Sequence, residues 1–272
     1  MKILHLSDLH LHIEDPIGEL WIKLEKMLFF LKEVDKIDYV IISGDHIFFS
    51  NPKENFKIFI KFMERLKEQI NIDDGHFILC SGNHEWAQLK GEPSILCKNN
   101  NASDTGRYYI EAYERLCGKC WSPQMQCEVY EEEDFVLVVA DAYYCIMDDD
   151  QGTFVRNCRK VNTELKKYFK DDGRLHILVQ HAPEVFYCHN CEDKVELPKD
   201  TIVMCGHKIF DHKQRVLQRG ECGTVYSGVS DGFVEENPVY GLYETGKIGL
   251  LIKYLEYRNG VWNWVYKDRG SE

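Results

Sequence analysis

The 272-residue sequence has no apolar run that approaches the roughly 20 residues needed to cross a bilayer. A membrane-spanning chain is not expected. It also lacks a surplus of positive charge, since 33 Lys and Arg stand against 45 Asp and Glu, a formal charge of −12. On average that balance repels polyphosphate chains, so nucleic acid is disfavoured as a partner unless a local basic patch exists. Pro/Gly/Ser-rich linkers and internal repeats are missing, and residues 1–272 are expected to form a single domain. His5, Asp8 and His10 interrupt the opening MKILHLSDLH where a secretory leader would need about 7–15 apolar residues. The expected location is therefore cytoplasmic. Cysteine is not scarce: the eleven form an odd number, and without a leader they read as thiols or metal ligands before they read as a disulfide framework.

Short apolar runs rich in β-branched residues recur at Lys2–Leu6, Asp38–Ser43, His76–Cys80, Phe135–Ala140, Leu175–Gln180 and Thr201–Cys205. Each reads as a strand. Between the first two, Ile17, Leu20, Ile22, Leu24, Met27, Leu28 and Leu31 give a broad apolar face at helical spacing, and Phe56, Phe59, Ile60, Met63 and Leu66 do the same before the third. This β-α-β-α-β opening predicts an α/β protein with parallel early strands, because right-handed crossovers through helices are the usual connection. After Thr201 the pattern changes to strands at Val216–Leu217, Thr224–Ser227, Ile248–Leu255 and Val261–Tyr266, with Asn259-Gly260 a hairpin turn between the last two. Antiparallel or mixed sheet is expected there.

Five of the predicted strands run directly into polar clusters: Asp8-Leu9-His10, Gly44-Asp45, Gly82-Asn83-His84-Glu85, His181-Ala182-Pro183 and Gly206-His207. Any one of these would pass for a turn or a cap. Together they matter more, because loops leaving the C-terminal ends of strands in open α/β sheets converge on one edge. The donors so assembled are carboxylates, imidazoles and one amide, which suit Mn²⁺, Fe, Zn²⁺, Ni²⁺ or Mg²⁺.

This ordered series resembles the calcineurin-like metallophosphoesterase superfamily, over residues 8 to 207. The resemblance implies a four-layer αββα sandwich, two mixed sheets flanked by helices, with a variable insert at about 86–128. It also implies a two-metal site. Asp8 and His10 would bind the first ion, Asp45 would bridge both, and Asn83, His181 and His207 would bind the second. His84 would lie outside the metal shell as the catalytic group that hydrogen-bonds the phosphate or protonates the leaving oxygen. The chemistry suits those residue types: two cations roughly 3.5–4 Å apart neutralise phosphate charge and lower the pKa of a shared water, giving a metal-activated hydroxide. No Ser or Cys nucleophile is then required. The implied activity is hydrolysis of a phosphomonoester or phosphodiester of a small phosphorylated substrate.

The sequence departs from that pattern in two places. The family usually ends its last motif as Gly-His-x-His, and here the final position is Ile209, which cannot coordinate a metal. Asp211 or His212 could replace it, water could fill the gap, or only one ion could bind. A degenerate, non-catalytic binder of metal or of a phosphorylated ligand is thus the alternative reading, with a nuclease a third. Ala87 stands where protein phosphatases carry Arg, and Gly44-Asp45-His46-Ile47-Phe48 lacks their second Asp and Arg, which disfavours that subclass.

Two C-x-x-C pairs, Cys117/Cys120 and Cys188/Cys191, sit in loop-like segments. Such spacing lets two thiolates grip one ion, and the two pairs together would make a Cys₄ structural zinc. A redox pair or four ordinary thiols are the other readings.

Overall fold

The computed structural model describes residues 1–13, 19–48, 51–82, 84–86, 104–122, 127–141, 162–181, 197–198, 201–206, 218–219, 225–228, 239–246 and 249–269. One six-stranded sheet is built on β1 (Lys2–Leu6), β2 (Tyr39–Ser43) and β3 (Phe77–Cys80), which run parallel. Three later strands extend it: β10 (Val239–Gly246) pairs antiparallel with β1, and β11 (Gly249–Arg258) and β12 (Val261–Arg269) follow outward. A second six-stranded sheet has the order β4 (Glu128–Glu131), β5 (Phe135–Val139), β6 (Leu175–Val179), β7 (Ile202–Cys205), β9 (Val225–Gly228), β8 (Gln218–Arg219). Both sheets are mixed.

The alternation of side chains along each strand sets the layers. Ile3, Ile41 and Ile78 of the first sheet meet Leu137, Ile177 and Met204 of the second in one buried cluster. Their sequence neighbours Leu4, Val40, Ile42 and Leu79 turn the other way, onto α1 (Glu19–Leu31), α2 (Pro52–Ile70) and α3 (Asp104–Cys117). On the far side of the second sheet Val136, Val138, Leu178 and Val203 pack against Leu165 in the helical residues 162–168 and against Phe169 just after them. The result is the expected four-layer αββα sandwich. Strands covered on both faces have no polar side to show, which is why they read as continuous apolar runs.

The six strands expected in the first 205 residues form within about two residues of their expected bounds, but β4 was not expected and several other elements differ. Of the expected inner face of α1, Leu24, Met27, Leu28 and Leu31 are buried, whereas Ile22 is 48% exposed, because two positions along a helix is a turn of about 200° away from Leu24. Ile17 lies outside the described residues, and so does the strand expected at Val216–Leu217; the strand found nearby is β8. β10 was not expected at all. α3 lies in the stretch expected to be a variable insert and was not expected; Tyr109, Ala112, Tyr113, Leu116 and Cys117 are buried on it at helical intervals. Asn259 and Gly260, with φ of 53° and 81°, make the tight turn between β11 and β12 that the dipeptide predicts. Among the described residues no helix is long and apolar enough to cross a membrane.

Candidate metal centre

The polar residues that follow β1, β2, β3 and β6 meet at one edge of the sandwich, and the backbone there is held in an unusual form. Asp8, His10 and Asp45 have φ of 51°, 44° and 49°. Left-handed backbone at a non-glycine residue costs on the order of 1–3 kcal/mol, so it persists only where neighbours over-determine it. Here they do. The Asp8 N–H donates to the Gly44 carbonyl at 3.0 Å, the His10 N–H to that of Asp45 at 3.0 Å and the Leu11 N–H to that of His46 at 3.1 Å, so the loops after β1 and β2 brace each other.

A buried carboxylate completes the brace. Glu85, fully buried, accepts the backbone N–H groups of Asp45 (3.0 Å), Gly82 (2.6 Å) and His46 (2.8 Å), and its Oε1 lies 3.1 Å from His46 Nδ1. Burial raises its pKa, but the neighbouring imidazole of His46 and the Gly82 N–H hold it below the usual carboxylate range. Glu85 closes the Gly82-Asn83-His84-Glu85 motif, and only its tertiary contacts reveal its bracing role. The glycines of the motifs are required by crowding: a Cβ at Gly44, where φ is +99°, would lie 2.5 Å from His181 Nδ1, and one at Gly82 would overlap Asp45 Oδ1.

With the backbone fixed, the side chains converge on Asp45. Its Oδ2 is 3.3 Å from His181 Nε2, 3.8 Å from His10 Nε2 and 3.8 Å from His84 Nε2, while Asp8 Oδ1 is 3.9 Å from His10 Nε2. The donor atoms fall into two groups, His10/Asp45/His84 and Asp8/Asp45/His181, each within 4.8 Å. Asp45 belongs to both. Two donors about 2.1 Å from one ion at adjacent positions stand roughly 3.0–3.4 Å apart, and the observed separations of 3.3–3.9 Å need only small side-chain shifts to reach that range, so the donor set suits divalent metal binding. The ordered assignment expected from the motifs placed Asp8 with His10; the geometry places Asp8 equally well with His181, and brings His84 as near to Asp45 as His10 is.

Charge and hydrogen bonds prepare the donors. His181 Nδ1 lies 2.7 Å from the Ser43 carbonyl, which can only accept, so Nδ1 carries the proton and Nε2 faces Asp45. Burial raises the Asp45 pKa, yet the imidazoles of His181, His84 and His10 outweigh it and hold the carboxyl far below its ordinary range. Burial lowers the His181 pKa and the Asp45 charge overcomes that, pushing it up to about 10. A divalent ion would compete with protons for the same lone pairs.

A second buried carboxylate, unforeseen, stands behind the site. Asp141, just past β5, accepts from the backbone N–H of Ser81 at 3.3 Å, from the Ser81 hydroxyl, and from Tyr109 of α3 at 2.9 Å. It ties the end of β3, from which the His84 motif departs, to the outer helix. Asn83, His207, Ile209, Asp211 and His212 lie outside the described residues, as do Cys188 and Cys191. Cys117 is not in a loop: it ends α3, is buried in the apolar core, and burial pushes its thiol up to about 12, whereas Cys120 is exposed.

A family model described as calcineurin-like phosphoesterase matches residues 1–209. A comparison with curated proteins finds no match. Among solved structures the chain is similar to Vacuolar Protein Sorting 29 from Cryptosporidium parvum, at 14% identity and a TM-score of 0.40 over 98% of this chain and 96% of that one. It is also similar to wild-type Vps29 from Entamoeba histolytica complexed with Zn²⁺, at 13% identity and a TM-score of 0.39 over 98% and 99% of the two chains. Since the family model covers more than half of the sequence, including Asp8, His10, Asp45, His84 and His181, the chain belongs to the calcineurin-like phosphoesterase family.

Proposed function

We propose that the protein hydrolyses a phosphomonoester or phosphodiester of a small molecule with two divalent cations held about Asp45. The observation that carries this is the sharing of one buried carboxylate by two donor groups. Two cations so placed supply charge neutralisation at the phosphoryl group and a water acidic enough to attack phosphorus in line. The chain's own residues do the rest. Asp45 sets the spacing of the pair, Asp8, His10 and His181 bind, and Asn83 and His207 would complete the set. His84 is the most solvent-facing imidazole of the cluster, with its side chain 17% exposed against 8% for His10 and 0% for His181. That position suits a group that meets substrate and gives a proton to the leaving oxygen. Cys80 is no rival nucleophile, because burial, and after it the Asp141 charge, push its thiol well above the ordinary range.

The oxygen and imidazole donors suit Mn²⁺, Fe, Zn²⁺, Ni²⁺ or Mg²⁺ alike. The test is hydrolysis of nitrophenyl mono- and diesters by purified protein with each ion in turn, with metal content measured alongside. Turnover that chelation removes and metal restores supports the reading. Ile209, where the family carries a ligand, favours a second reading, a binder without turnover; metal and phosphate bound with no hydrolysis of any ester would select it. The net charge of −12 makes a small substrate the better choice over nucleic acid.

A further inference from the structure

The His84 ring has aromatic company that the metal site does not require. His10 meets it edge-on with centroids 4.5 Å apart, Phe48 lies 5.8 Å from it, and His12 lies 6.0 Å from Phe48. Phe48 and His12 are half-buried and Ile13 beside them is 49% exposed, so this row of rings leads from the cluster toward solvent. The row is fixed in place. Leu11 bridges to Ile47, and the Phe48 N–H donates to the Leu11 carbonyl at 3.1 Å. Asn55 of α2, itself fully buried, clamps both segments: its Nδ2 donates to the Phe48 carbonyl at 2.8 Å and its Oδ1 accepts the Ile13 N–H at 2.7 Å. A buried polar side chain that holds both rim segments makes Phe48 and His12 a preorganised surface.

We propose that Phe48 and His12 form the leaving-group wall of the site, and that it selects phosphoesters whose alcohol carries a flat aromatic ring next to the ester oxygen. This deepens the phosphoesterase reading and rests on His84 serving the leaving oxygen. An alcohol group departing from that oxygen extends past His84 into the range, about 4.5–7 Å between centroids, at which rings stack or meet edge to face. A ring there gains area against Phe48 and Ile13, while a hydroxyl-rich alcohol would have to desolvate its polar groups against the same surface.

The test uses full-length protein loaded with Mn²⁺ and two inert esters' analogues in which CH₂ replaces the bridging oxygen, benzylphosphonate and ethylphosphonate, with calorimetry as the readout. Benzylphosphonate should bind more tightly by about 2- to 10-fold, the range aromatic pairs provide. Phe48→Ala should erase that preference and His12→Ala should reduce it, with ethylphosphonate affinity changed less than twofold in both. Equal affinity of the wild-type protein for the two phosphonates, a comparison that needs no variant to fold, overturns the wall and leaves the phosphoesterase reading standing. A preference that survives both substitutions also overturns the wall. Failure of both phosphonates to bind the loaded protein overturns the two readings together.

Discussion

Glu85→Gln replaces one oxygen of a buried, fully engaged carboxylate with an amide nitrogen and changes almost nothing in shape. The wild-type Oε2 accepts from Asp45 and Gly82 and Oε1 accepts from His46, so wherever the new NH₂ sits, at least one backbone N–H faces a donor. A hydrogen bond to a charged acceptor contributes about 1.5–3 kcal/mol, and the surviving bonds weaken when the charge is lost. A loss of roughly 2–4 kcal/mol follows for a site that is fully buried, with Tm lowered by about 4–7 °C at this chain length. Because the folded pKa of Glu85 lies below its ordinary value, its contribution is present above about pH 4 and is lost as pH falls through the folded pKa, so the variant should differ from wild type most near neutrality. The same change loosens the left-handed Asp45 backbone, and Mn²⁺ affinity should drop with stability. Urea unfolding at pH 7 and pH 4 together with a Mn²⁺ titration checks this. Unchanged stability and unchanged metal affinity would refute the role of Glu85 as the brace.

Asp45→Asn should abolish ester hydrolysis and lower metal content from two ions toward one or none while circular dichroism stays native, because the shared donor loses its charge; turnover at the wild-type level would sink the shared-ion site. His84→Ala should cut kcat by about 10²–10⁴-fold with metal content retained, and the loss should shrink for nitrophenol esters, whose leaving group needs little protonation. Loss of an ion in that variant would instead make His84 a ligand, as its 3.8 Å approach to Asp45 permits. His5 is fully buried against Ser43, and burial depresses its pKa to about 3. Between about pH 6.5 and that value only the unfolded chain binds the proton, so stability falls as pH falls, by about 2 kcal/mol at pH 5 relative to neutrality. His5→Asn should flatten the dependence by that amount in paired urea titrations, and identical slopes in the two proteins would contradict it.

The edge that carries the candidate site was legible because parallel strands put their C-terminal ends on one side, which groups Asp8, His10, Asp45 and His84 after β1, β2 and β3; His181 follows β6 of the other sheet and joins them only because the two sheets pack face to face. The inner strands were legible for a related reason: burial on both faces leaves Lys2–Leu6 or Phe135–Val139 almost no choice but apolar residues. β10 escaped because Val239–Gly246 carries two glycines, a threonine and a glutamate, and nothing local states that it pairs with β1, some 240 residues away, in the register Leu4↔Leu242. α3 escaped because, Leu116 apart, its inward face is made of tyrosines, alanine and cysteine.

By composition and local pattern, then, this sequence determined the alternation of strands and helices, the residue types at the strand ends, and the tight turn at Asn259-Gly260. Tertiary structure alone decided which donors share Asp45, that Glu85 and Asp141 are buried organisers, that Cys117 is a core side chain, and that Phe48 stands beside His84. The physical reason is range: hydrophobic period and turn chemistry act over a few residues, whereas donor separations of 3.3–3.9 Å depend on loops from distant strands being packed to within an ångström.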